Sequence, residues 1–183
     1  MLDLLVLQKE FLLKHIKNGS VVCDFTMGNG HDTLFLSQTV GNDGMVYAFD
    51  IQPSACEATQ TLLAHSGCPK NYTLINDSHS NCDKYIHQKI NGGVFNLGYL
   101  PGGDKNITTL RKSTLSAVNL AIELLAPDGI LIVAVYPGHP EGTAEGYELF
   151  SSLALRDRRE ICVTQIKIIN SPTSPFFFII ERK

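Results

Sequence analysis

Apolar residues recur along the chain at two periods, and stretches with one period alternate with stretches of the other. Leu4, Leu7 and Phe11, with Leu5, Leu12 and Ile16, step by threes, fours and sevens. That is the spacing of one helix face, so residues 2–17 are expected as a helix stopped by Asn18-Gly19. Residues 20–25 are expected as the first strand, followed by a glycine loop and a helix over about 31–39. A second strand is expected over 44–50, and Pro53 suits the first turn of a helix whose apolar face is Ala55, Ala58, Thr59, Leu62 and Leu63. Residues 71–76 are read as the third strand, with a short helix near 80–89, and 93–98 as the fourth. The clearest helix spans 107–125, where Leu110, Thr114, Ala117, Ala121 and Leu124 are spaced four, three, four and three. After a turn at Pro127-Asp128-Gly129, residues 129–136 are continuously apolar, as a strand buried on both faces requires. A helix over about 142–155 leads to strands at 160–169 and 176–181.

Strands alternating with helices predict an open, mostly parallel sheet with helices on both faces. The last two strands are separated by too few residues for a helical crossover, so they are expected to pair antiparallel. The fold class is therefore α/β, a seven-stranded Rossmann-like sheet ending in an antiparallel hairpin. A length of 183 residues with no repeat or linker predicts one domain over 1–183. Apolar residues make up 44% and charged ones 18%, which excludes disorder of the whole chain. The charge sum is 15 − 18 = −3, so any nucleic-acid binding must rest on a local basic patch. The longest apolar runs are strand-length, and the N-terminus has no basic region ahead of an apolar stretch. Both point to a soluble, cytoplasmic domain. Five cysteines, at 23, 56, 68, 82 and 162, have neither zinc-ribbon nor CxxC spacing, and no metal is expected.

The chemistry concentrates at the predicted carboxyl ends of the strands. The first strand runs into Asp24-Phe25-Thr26-Met27-Gly28-Asn29-Gly30-His31-Asp32, where glycines let backbone approach a ligand before a helix begins. Thr33 stands where a dinucleotide fingerprint has its third glycine. Asp24 and Asp32 surround the loop with negative charge. That charge suits S-adenosylmethionine, with its sulfonium and ammonium and no phosphate, better than a pyrophosphate. The plain alternative is a structural strand–helix turn. Asp50, 20 residues after Gly30 at the end of the second strand, is placed to accept both ribose hydroxyls, or else to cap the next helix. Gln52 beside it is counted with the cofactor set. In Asp77-Ser78-His79 an acid is available for the adenine amine and Ser78 for a backbone-like contact. A helix cap explains the same residues.

The fourth strand ends in Asn96-Leu97-Gly98-Tyr99-Leu100-Pro101-Gly102-Gly103-Asp104-Lys105. It lies beside the first strand at the point where chain order reverses, where open α/β sheets bind ligands. There Asn96 can orient an amine through its carbonyl, and Tyr99 offers a stacking face. A pliable glycine-rich turn is the simpler reading. Tyr136-Pro137-Gly138-His139 follows the fifth strand on the rim of the same crevice, with His139 as proton acceptor, phosphate ligand or mere surface residue. Lys105, Arg111 and Lys112, and separately Arg156, Arg158 and Arg159, are either solvated faces or the basic patches that RNA would need. An NAD-dependent oxidoreductase would share the first strand and Asp50 but predicts a third glycine and no terminal hairpin. A small-molecule methyltransferase would share the whole cofactor half, and a non-catalytic binding module remains a third reading.

Three strings together, Asp24 to Asp32, Phe95-Asn96-Leu97-Gly98-Tyr99-Leu100-Pro101 and Tyr136-Pro137-Gly138-His139, resemble one family over nearly the whole chain. It comprises the small class I methyltransferases labelled rRNA methylases, also called the YtqB or MnmM type. The resemblance implies a class I methyltransferase fold and methylation of the amine of 5-aminomethyl-2-thiouridine at the tRNA wobble position. The methyl donor would be S-adenosylmethionine, leaving S-adenosylhomocysteine. It implies a cofactor site from Asp24, Thr26, Met27, Gly28, Asn29, Gly30, Asp32, Asp50, Gln52, Asp77, Ser78, His79, Asn96 and Gly98. Asn96, Tyr99 and His139 would be catalytic, and Tyr99, Pro101, Gly102, Lys105, Arg111, Tyr136, Pro137, Gly138 and His139 would meet an anticodon stem-loop. A homodimer is implied as well. Ribosomal RNA or a small-molecule amine is the alternative acceptor.

Overall fold

The computed structural model describes residues 3–98, 109–138 and 140–183. Along the chain run α1 (Leu4–Leu12), β1 (Val21–Asp24), α2 (His31–Val40), β2 (Met45–Phe49), α3 (Pro53–His65) and β3 (Tyr72–Ile75). A short 3₁₀ helix (His79–Lys84) follows, then β4 (Ile90–Asn96), α4 (Arg111–Leu124), β5 (Leu125–Val135), α5 (Pro140–Leu153), β6 (Ile161–Ile166) and β7 (Phe176–Arg182). The strands form one sheet in the order β3-β2-β1-β4-β5-β7-β6. The first five are parallel, and β7 runs antiparallel between β5 and β6. Chain order reverses between β1 and β4, so the crevice above their carboxyl ends is the ligand position of an open α/β sheet.

The alternation of side chains along a strand builds the two cores. On β5, Ile130, Ile132 and Ala134 face one way and pack with Val22, Val46, Leu36 and Leu12 beneath α1 and α2. Leu131, Val133 and Val135 face the other way, among Phe25, Phe95, Val118 and Leu149 beneath α4, α5 and the 3₁₀ helix. Phe25 stacks on Phe95 at 4.2 Å between centroids, directly below the β1–β4 crevice.

Several expected boundaries move. The first helix ends at Leu12 rather than 17, because Ile16 turns down onto the sheet, where it is 4% exposed. The helix expected near 80–89 is a 3₁₀ turn over His79–Lys84. The fourth strand starts at Ile90, not 93, and ends at Asn96. Its glycines are packing positions: a Cβ on Gly93 would lie 2.8 Å from Leu131 Cδ2 and Phe25 Cε2, and one on Gly92 2.6 Å from Ile16 Cγ2. Pro127-Asp128-Gly129 lies inside β5 as a bulge, with Asp128 at φ 60° and a register shift opposite Ile90 and Gly92.

Candidate active site

β1 delivers Asp24 to the floor of the crevice, fully buried. Its Oδ1 accepts the Thr26 amide at 3.1 Å and its Oδ2 accepts the Thr33 hydroxyl at 2.7 Å. Asp24 therefore reaches a ligand only through the groups it holds. Thr33, at the position of the missing third glycine, ties the first turn of α2 to the end of β1. The loop above has Gly30 at φ 84°, and a Cβ there would stand 2.8 Å from both Thr59 side-chain termini. Only glycine allows both that turn and that approach of α3. The Thr59 hydroxyl donates to the Gly28 carbonyl at 3.1 Å, and the Gly28 amide donates to Asp50 Oδ2 at 3.0 Å.

Asp50 is not the cap of α3: Gln52 occupies that position, with its amide donating to Asp50 Oδ1 at 2.9 Å. Each Asp50 oxygen thus keeps a lone pair beside the glycine loop. Asp77 accepts from the Ser78 amide, Asn81 Nδ2 and the Tyr85 hydroxyl. The Asn81 bond leads the three in holding its carboxyl below the usual range. Ser78 caps the 3₁₀ helix through the Ser80 amide at 3.2 Å. His79 Nδ1 lies 3.1 Å from the Phe25 carbonyl. A carbonyl can only accept, so Nδ1 carries the proton and Nε2 is a bare acceptor, buried and without a partner among the described residues. Burial also pulls the imidazole pKa down, against the Phe25 bond and the charge of Asp50, so the ring is neutral.

At the end of β4 the backbone amide of Asn96 donates to Thr26 Oγ1 at 2.7 Å, and Asn96 Nδ2 donates to Asp32 Oδ2 at 2.5 Å. The carboxylate fixes which way the amide faces. Among the described residues its carbonyl Oδ1 is left buried with no partner, which is unusual for a polar atom and marks a place for a donor. Burial raises the Asp32 carboxyl, opposed by Lys9, His31 and the Asn96 bond. Burial, then the charge of Asp32, raises Asp24 to about 7. Tyr136 is also raised, by burial and then by Asp32, which puts its phenol within the field of the same carboxylate.

Two further features frame the acceptor side. Pro137 and Gly138 line an open, mainly apolar cleft of about 610 Å³ with Pro140, Thr143, Ala144 and Tyr147. Gly98, at φ 135°, exchanges two hydrogen bonds with Thr109, and Thr109 and Thr114 both donate to the buried carboxylate of Glu145. Sequence reasoning missed Glu145. A signal was available, since it is the lone charge in the buried stripe Gly142, Glu145, Gly146, Leu149 and Leu153. Tyr99, Pro101, Gly102, Lys105 and His139 lie outside the described residues. The basic clusters change character. Arg111 pairs with Glu141 at 3.0 Å and Arg159 with Asp157 at 2.6 Å, while Arg156 bonds Asn119 and lies 3.9 Å from Glu123. The acid-free run around Arg111 meets its acid from another element.

Asn96 Oδ1, His79 Nε2 and the spare lone pairs of Asp50 form an acceptor set near the carboxylate of Asp32. Such a set fits hydroxyls, amines and a cationic centre, the groups S-adenosylmethionine carries, and it repels a pyrophosphate. Among the described residues no group of His, Cys, Asp and Glu could hold a metal ion, and no helix is long and apolar enough to cross a membrane.

Known proteins resemble this chain in sequence and in fold. The chain is 38% identical over 182 residues to the chloroplastic tRNA (mnm(5)s(2)U34)-methyltransferase of Arabidopsis thaliana, covering 92% of this chain and spanning 65% of that relative's length. A solved structure from Clostridium thermocellum, described as an rRNA-methylase, matches with a TM-score of 0.97 at 36% identity, over 100% of this chain and 99% of that one. A "putative methyltransferase" of Streptococcus mutans, solved in complex with SAH, matches with a TM-score of 0.91 at 33% identity and the same coverage. The sheet order, the terminal hairpin and these likenesses give the class I methyltransferase fold. Residues 46–182 match the model of the family described as "Putative rRNA methylase", and the chain belongs to that family.

Proposed function

We propose that this protein transfers the methyl group of S-adenosylmethionine to the amine of 5-aminomethyl-2-thiouridine at the tRNA wobble position. The observation that carries this reading is the orphaned, buried Oδ1 of Asn96, held in orientation by Asp32. An aliphatic amine has N–H bonds to give and one lone pair to spend on the methyl group. A fixed carbonyl takes an N–H and so aims the lone pair. The Arabidopsis relative, by its printed name, acts on that wobble nucleoside.

Bound S-adenosylmethionine supplies a methyl group made electrophilic by its sulfonium. In this reading Asp50 takes ribose hydroxyls, and the Gly28–Gly30 backbone receives the amino-acid end close to Asp32. His79 Nε2 takes a donor from the adenosine half. Asn96 Oδ1 accepts from the substrate amine, and Asp32, in accepting from Nδ2, keeps that carbonyl from rotating away. Asp24 acts at one remove by fixing Thr26 and Thr33. On the acceptor side, Tyr99, Pro101 and Gly102 receive the base together with Tyr136, Pro137, Gly138 and His139. Lys105 and Arg111 meet phosphates of the anticodon stem, Arg111 by exchanging its Glu141 partner. Transfer is direct, so no covalent intermediate on the protein is needed. A homodimer and a cytoplasmic setting belong to the same reading, and sedimentation and localisation test them.

The test uses thiolated tRNA from a strain lacking the final methylation. This tRNA, and in parallel ribosomal RNA, is incubated with protein and labelled S-adenosylmethionine, digested to nucleosides and analysed by mass. Label in 5-methylaminomethyl-2-thiouridine, lost in Asn96→Ala with cofactor binding retained, supports the proposal. The family description favours rRNA as a second acceptor class. Label in ribosomal RNA and none in tRNA would replace the wobble assignment with that one.

A further inference from the structure

Glu145 is 2% exposed and, among the described residues, has no cationic hydrogen-bond partner. Burying a carboxylate is costly unless each oxygen is satisfied. Here Oε1 accepts the Thr114 hydroxyl of α4 at 2.6 Å, and Oε2 accepts the Thr109 hydroxyl at 3.1 Å. Thr109 Oγ1 in turn accepts the Gly98 amide at 2.9 Å, and the Thr109 amide donates to the Gly98 carbonyl at 2.9 Å. The carboxylate sets the direction of this chain. It can only accept, so Thr109 must point its proton at Glu145 and turn a lone pair to Gly98. A glutamine would present one acceptor and one donor. One threonine would then face an N–H, and if it were Thr109, that residue could keep its bond to Gly98 only by leaving its own proton unpaired.

Gly98 is two residues beyond Asn96, and Thr109 closes the ten-residue segment that contains Tyr99, Pro101, Gly102 and Lys105. Glu145 itself sits on α5, the helix that follows Pro137 and Gly138. One carboxylate therefore joins the two stretches that carry the acceptor-side residues. We propose that Glu145 is a positioning residue for the acceptor, which fixes the Gly98 peptide through Thr109 and so holds the chain where it leaves β4 just after Asn96. The proposal rests on the reading that Asn96 meets the amine of the nucleoside.

Amide hydrogen exchange on the full chain, without substrate, tests the clasp apart from activity. Exchange at the Gly98 amide is expected to speed up about tenfold in Glu145→Ala and Thr109→Val, less in Glu145→Gln, and not at all in Thr109→Ser, which keeps the hydroxyl. Amides of β1 should keep their protection. With cofactor saturating, KM for a stem-loop substrate should rise about tenfold in Glu145→Ala and Thr109→Val, with cofactor Kd within twofold and with Thr109→Ser matching wild type. Thr109→Val carries the test if Glu145→Ala does not fold. Unchanged Gly98 exchange overturns the clasp, and faster exchange with KM unmoved overturns the positioning role. Exchange that responds as expected in a protein that methylates no RNA supports the clasp and overturns the acceptor assignment on which its role rests.

Discussion

Removing Asp32 should disable the acceptor side without unfolding the protein. Asp32 Oδ2 is the partner of Asn96 Nδ2, at 2.5 Å, and that bond decides which end of the Asn96 amide faces the crevice. A hydrogen bond to a charged group contributes about 1.5–3 kcal/mol. If that energy holds the amide in its productive orientation, its loss in Asp32→Ala lowers the transfer rate by about 10- to 150-fold. Asp32→Asn keeps an acceptor but not the charge, and about half the energy, for a loss of about three- to tenfold. The folded state should not suffer, since Asp32 also raises the carboxyl of buried Asp24 by repulsion and its removal relieves that. The assay is single-turnover methylation of a stem-loop bearing 5-aminomethyl-2-thiouridine, at saturating labelled cofactor, with cofactor Kd measured by calorimetry. An Asp32→Ala rate within twofold of wild type under saturation would refute the claim that this carboxylate orients Asn96. A change confined to cofactor Kd would assign Asp32 to the cofactor alone.

Three other outcomes are expected. Asp24 has a folded pKa of about 7 against an ordinary 3.8, so between those values the folded protein holds a proton that the unfolded chain releases. Stability should therefore fall as pH rises through that window, by up to about 1.4 kcal/mol per pH unit. Urea melts from pH 5 to 8 should show this slope in wild type and a flatter one in Asp24→Asn. Gly30→Ala forces φ 84° on a residue with a Cβ and sets that Cβ against Thr59 at 2.8 Å. Urea denaturation should show a loss of about 2–3 kcal/mol. His79→Phe keeps a ring edge against Phe95 but deletes the bare Nε2 acceptor. Calorimetry should record about tenfold weaker cofactor binding, and the thermal midpoint should fall by a few degrees because the Phe25 carbonyl also loses its Nδ1–H donor.

Much of the β1–β2 end of the crevice was legible because local pattern and spacing coincide there. An apolar strand running into Asp24, two glycines, and an acid at the end of the next strand are local signals, and β1, β2 and the Gly28–Asp50 contact follow them. The terminal hairpin was legible from loop length alone. Other boundaries were not. The fourth strand was expected to begin only at 93, yet Asn91 and Gly92 lie within β4, where Ile16 packs against Gly92 and Phe25 and Leu131 against Gly93 in the space a side chain would need. Arg111 heads an acid-free run but is paired with Glu141 from α5.

What the sequence determined by itself is the order of elements, the class of sheet and the residue types available at each strand end, because these depend on neighbours a few positions away. The tertiary structure decided which of those residues are free to act. Asp24 is consumed in hydrogen bonds to Thr26 and Thr33, whereas Asn96 keeps its carbonyl because Asp32, 64 positions away, takes its amide nitrogen. Glu145 is buried because threonines from two other segments converge on it. Satisfying a buried polar atom depends on which groups the fold brings within about 3 Å, and no periodicity along the chain encodes that.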